Sequence, residues 1–210
     1  MSALPKRKSD AAPAGGTPRP GATPSFVVYD GGAGGGVPRE PIDRAALAKL
    51  GILIAVSSLA MFFLSLLSAF VVRSGLGGEW GSFPLPKILY FNTAVLVVSS
   101  ITMEIARRRA AGKNRGLIWV SFALGVVFLT GQIVAWRQLL GSGLSVGETP
   151  YTSYLYLLTG AHAAHVAGGL LALAAAAISR RANIVTTSAI YWHFMTLVWI
   201  GLFNFLAFWR

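Results

Sequence analysis

Residues 50–72 read LGILIAVSSLAMFFLSLLSAFVV, a run without a single charge. A hydrocarbon core of roughly 30 Å is crossed by about 20 apolar residues of helix, and a shorter run would leave peptide groups facing lipid. One such run can be the interior helix of a soluble protein. Four more long apolar segments follow before Trp209, and too little polar surface is left to cover five buried helices. The expected fold is therefore all-α, a polytopic membrane protein. Five transmembrane helices, at about 46–73, 86–107, 117–138, 152–178 and 185–208, fill a domain over 44–210 behind a disordered N-terminal tail over 1–43.

Composition agrees with that solvent. Hydrophobic residues make up 54% and charged ones 12%, against about 25% charged in a soluble domain. Net charge is +11, but the charges cluster between apolar segments. That pattern points to membrane topology, with no nucleic-acid partner. The absence of cysteine excludes disulfides, thiolate metal sites, iron–sulfur clusters and a catalytic thiol. Residues 1–43 hold seven of the ten prolines and eight of the 24 glycines. Such a segment buries too little apolar area to offset chain entropy, so it is expected to be a solvated tether. Its basic start, Lys6, Arg7 and Lys8, is followed by no apolar stretch, which is unlike a secretory signal.

Basic residues alternate across the expected spans. Fourteen lysines and arginines fall on the side of the N-terminus, including Lys49, Arg107, Arg108, Arg109, Arg115 and Arg181, and four on the other. This bias places the N-terminus in the cytoplasm and the C-terminus outside. Trp80, Trp136, Tyr151, Tyr154 and Trp209 would form an aromatic belt at the outer interface.

Polar residues inside a span are costly and each needs a role. His162 and His165 share a face of the fourth segment, and His193 lies on the fifth, with no carboxylate partner evident for them in the sequence. They are expected to be structural; a metal or haem held by the three is the sharper alternative. Asn92, Gln132 and Asn204 suit hydrogen bonds between helices. Glu104 stands three and four residues before Arg107 and Arg108, the spacing of a local ion pair. Gly160, Ala164 and Gly168 form a small-residue stripe expected to let two helix backbones approach closely. No phosphate-cradling loop, Ser–His–acid set or internal repeat stands out, and the chain reads as a scaffold without catalytic residues.

Five stretches, in order, carry a resemblance. Gly51, Ser58, Phe62 and Phe63 lie on the first segment, FNTAVLVVSSITM with Asn92 and Thr93 on the second, and FLTGQIVAWRQL with Gln132 on the third. YLLTGAHAAHVAGG with Gly160, His162, His165 and Gly168 lies on the fourth, and YWHFMTLVWIGLF with Trp192, His193 and Trp199 on the fifth. The chain resembles subunit III of the haem–copper respiratory oxidases over about Gly51–Trp209. The resemblance implies an accessory subunit of a bacterial proton-pumping terminal oxidase, in the cytoplasmic membrane. It would bind no haem, copper or other metal itself, pack beside subunits I and II that carry them, and hold structural phospholipid. A larger respiratory supercomplex is a further possible assembly. Asn92, Thr93 and Gln132 would hydrogen-bond between helices, and Gly160, His162, His165, Gly168, Trp192, His193 and Trp199 would pack helices or contact subunits and lipid.

The chain departs from the family in three places. Many members have seven helices, and this chain would lack the first two. The family's glutamate on the first shared helix falls on Leu59, and its aspartate after Trp-His-Phe on Thr196, which weakens any direct proton role. Accessory subunits of quinol oxidases or of nitric oxide reductase fit the same residues. A free-standing small membrane transporter is the rival from another class, and it would need a polar path for which Glu104 is the one interior acid.

Overall fold

A computed structural model describes residues 44–76, 85–109, 115–179 and 181–208. The expected tail over 1–43, and with it Trp80 and Trp209, lies outside the described residues. Five helices make up the rest: α1 (Arg44–Gly75), α2 (Ile88–Arg108), α3 (Arg115–Gly141), α4 (Pro150–Ile178) and α5 (Ala182–Phe208). All five are long and apolar enough to cross a membrane. This is a multi-pass membrane protein.

Local chemistry sets the ends of α3 and α4. α3 runs past the expected 138 because Leu144 N donates to Leu139 O (3.0 Å) and Gly143 N to Leu140 O (3.1 Å), with Gly143 at φ 81°. This paired arrangement satisfies the last carbonyls, and its left-handed residue favours glycine. α4 begins at Pro150 behind a capping box. Thr149 Oγ1 accepts from Thr152 N, and Thr149 N donates to Thr152 Oγ1, both at 3.2 Å. Pro at the first position loses nothing, since its missing N–H would be unpaired there.

The helices α2, α3, α4 and α5 close a ring in which each lies against the next and α5 returns to α2. α1 stays outside, lying against α4 and α5 alone among the described helices. It is the least buried of the five. Its inward edge is aromatic: Phe63 faces His162 and His165, while Phe70 meets Tyr151, Tyr154 and Phe205 edge-on. Tyr151 is 1% exposed and its hydroxyl donates to Leu206 O (3.3 Å). It is thus a core residue rather than part of the expected aromatic belt.

Candidate functional site

The interior is keyed by two tryptophans seven residues apart on α5. Trp192 lies between two glycines. A Cβ at Gly125 would come within 2.7 Å of Trp192 Cη2 and of Leu170 Cδ2, and one at Gly169 within 3.0 Å of Trp192 Cζ3. Its Nε1 donates to Ser99 Oγ on α2 (3.1 Å), which in turn donates to Ser121 O on α3 (2.8 Å). Trp199 repeats the arrangement two turns on. It packs against Phe128 (centroids 4.9 Å apart, 86°) and His162 (4.9 Å, 32°), and its Nε1 donates to Thr93 Oγ1 (3.0 Å). Each indole therefore touches α2, α3 and α4 from α5. A large rigid apolar body with one donor suits a core where every N–H must find an acceptor.

α2 carries a ladder of polar groups on the flanks it turns to α3 and α5. Asn92 Nδ2 donates to Phe128 O (3.4 Å). Its Oδ1 rests on Gly131, where any Cβ would collide with the amide. Thr93 and Ser99 take the indole N–H groups, and Thr102 Oγ1 meets Ser121 Oγ at 2.7 Å.

The ladder ends in charge. Glu104 takes Arg107 through two bonds (2.8 and 2.6 Å) and Arg108 through one (2.6 Å). It also accepts from His193 Nε2 on α5 at 3.1 Å. In the neutral ring that leaves Nδ1 to accept from the Ser100 hydroxyl at 2.6 Å. The local ion pair is the one the spacing predicts. The missing carboxylate partner of His193 is corrected: Glu104 supplies it across helices, eighty-nine positions away in the chain. Packing of α2 against α5 brings the two together, which one helix's periodicity cannot show.

Other expected positions are redistributed. Ala164 and Gly168 are exposed, and a Cβ at Gly168 would meet nothing within 4 Å. Gly160 has only Trp136 Cζ2, at 4.0 Å. The small-residue stripe is therefore not where this chain's backbones meet. Gly125, Gly131 and Gly169 are the crowded glycines instead, each admitting a side chain from another helix, and their signal was faint because a glycine in a helix does not name the side chain it admits. Asn204 is exposed and donates to Ile200 O within its own helix (2.7 Å), so it joins no two helices among the described residues. Gln132 is buried, yet no group among the described residues bonds its Oε1. His165 Nδ1–H donates to Ala161 O (2.7 Å) and its ring lies against Phe62 and Phe63. The three histidines are thus held by different partners, and among the described residues no three His, Cys, Asp or Glu side chains gather to hold a metal ion.

The family model described as cytochrome c oxidase subunit III matches residues 42–210, the whole bundle. The chain belongs to that family. Subunit III relatives include the probable cytochrome c oxidase subunit 3 of Mycobacterium tuberculosis, 33% identical over 186 residues, covering 80% of this chain and 91% of the relative. That of Nocardia farcinica is 34% identical over 185 residues with the same coverage. The cytochrome bo(3) ubiquinol oxidase subunit 3 of Pseudomonas aeruginosa is 31% identical over 150 residues, 65% of this chain and 71% of the relative. A subunit III is one part of an oxidase complex with other subunits.

Proposed function

We propose that this chain is the accessory, non-redox subunit of a bacterial proton-pumping terminal oxidase, stabilising the catalytic subunit I beside subunit II. The observation that carries this reading is how its polar groups are used. Ser99, Ser100, Thr93, Glu104 and His193 are engaged in holding α2 to α3 and α5. A transporter would need such groups to line a path. Haem and copper belong to the partner subunits in this reading, and a respiratory supercomplex is the larger assembly it joins. The charge bias favours a cytoplasmic N-terminus and an outer C-terminus in the bacterial inner membrane.

Lipid holding is supported by two grooves beside α1. One of about 320 Å³ is lined by apolar side chains, among them Phe63, Leu67, Phe194 and Val198. The other, about 540 Å³, adds Ser65, Ser68, Arg73 and Tyr154. The first suits an acyl chain and the second a headgroup. Cytochrome c as electron donor is favoured over quinol by the longer matches to cytochrome c oxidase subunits.

The test is affinity purification from native membranes in mild detergent, with visible spectroscopy, lipid analysis and protein identification on the eluate. Haem–copper subunits with an oxidase spectrum are expected. Their donor site separates cytochrome c oxidase from quinol oxidase and nitric oxide reductase. A colourless lone chain from cells that express the oxidase would refute the proposal and favour a transporter.

A further inference from the structure

Three fully buried side chains from three helices carry polar atoms that no group among the described residues bonds: Asn92 Oδ1 on α2, Gln132 Oε1 on α3, and both ring nitrogens of His162 on α4. Residue spacing sets Gln132 and His162 at one level of the ring, with Asn92 beside α3 at Gly131. Gln132 lies one turn from Phe128 and one turn from Trp136. Phe128 meets the His162 ring edge-on at 5.7 Å, and Trp136 Nε1 donates to Thr159 Oγ1 at 3.1 Å. Gln132 therefore faces the turn of α4 that runs from Thr159 to His162. Asn92 Oδ1 rests on Gly131, the residue before Gln132.

The chemistry of the set is complementary to water. An amide oxygen only accepts, and a neutral imidazole offers one donor and one acceptor. Leaving such groups unpaired away from solvent costs roughly 1–3 kcal/mol each. Buried waters recur where two to four polar groups meet with no partners of their own. We propose that Gln132, His162 and Asn92 form an internal hydration site that takes one ordered water. The water donates to Gln132 Oε1 and bonds the facing nitrogen of His162, with Asn92 Oδ1 as its third partner. The His162 ring itself lies against the rings of Phe63, Phe128 and Trp199. The site ties α2, α3 and α4 into one register, since sliding any helix by a turn withdraws a partner.

The experiment uses the full chain, purified from its native membrane with whatever subunits accompany it. A density map fine enough to show ordered water is expected to contain one within hydrogen-bonding distance of Gln132 Oε1 and His162. Direct contact between Gln132 Oε1 and His162, or a dry site, would overturn the proposal. Thermal unfolding gives an independent sign. His162→Phe lowers the melting temperature if it strips a hydrated site of its anchor. It raises the temperature if His162 is an unpaired group in a dry core. Gln132→Met is read in the same way should His162→Phe fail to accumulate.

Discussion

His193 Nε2 on α5 lies 3.1 Å from Glu104 Oε2 on α2, and the same carboxylate holds Arg107 and Arg108. Glu104 thus joins a surface cluster to an interhelical clamp. Its side chain is 24% exposed and that of His193 32%, so the pair is not sealed in the core and carries the worth of an exposed pair, about 0.2–1 kcal/mol. Glu104→Leu and His193→Phe should each lower stability, with a coupling of that size in the double mutant. Additive effects in a thermal-melt cycle would show that the contact carries no energy.

Adjacent glycines on α4 should behave oppositely. A side chain at Gly169 meets Trp192 and Tyr191 within about 3.1 Å, whereas one at Gly168 meets open space. Gly169→Leu is expected to destabilise the chain by about 1–3 kcal/mol through overpacking. Gly168→Leu should leave the isolated chain unchanged, and any effect would appear only in the assembled complex. Equal losses for both variants, read by melting in nanodiscs, would contradict this placement of the α4 faces.

Gly131 exists for Asn92. Its added Cβ would come 2.8 Å from Asn92 Cγ, on an amide whose Nδ2 is already bonded to Phe128 O. Gly131→Ala should therefore cost about 1 kcal/mol or more, as overpacked sites do. The cost should shrink sharply when Asn92 is also alanine. A penalty that persists in the double mutant would place the clash elsewhere.

Thr93→Val keeps the shape of the side chain and removes the acceptor of the Trp199 N–H. An orphaned buried indole N–H should cost roughly 1 kcal/mol, near the average for polar contacts between membrane helices. Thr93→Ser, which restores the hydroxyl, should recover most of the loss. Melting curves that do not distinguish Val from Ser would discount the hydrogen bond.

The helices were legible because length and apolarity are properties of a single segment, and Glu104 with Arg107 because that contact spans one turn. What the sequence concealed depends on register between segments. His162 and His193 look alike in the sequence, yet one sits among Phe63, Phe128 and Trp199 and the other bridges Ser100 and Glu104. Gly168 and Gly169 differ only by the turn of about 100° between neighbours in a helix. The apolar periodicity of α4 is too weak to orient it, since its residues are apolar on nearly every side. The exclusion of α1 was equally hidden: it carries the most hydropathic stretch of the five, which describes a lipid-facing helix as well as a central one.

The outlying place of α1 has a consequence for biosynthesis. α1 is made ahead of α4 and α5, the helices it lies against. At roughly 5–20 residues per second, the hundred or so residues from Gly75 to Ile178 take about 5–20 s to translate. During that interval α1 has neither partner in the bilayer, while α2 and α3, joined by a short connection, can already pair. Maturation would then run from the middle of the chain outward, with the earliest-made helix among the last to find its seat.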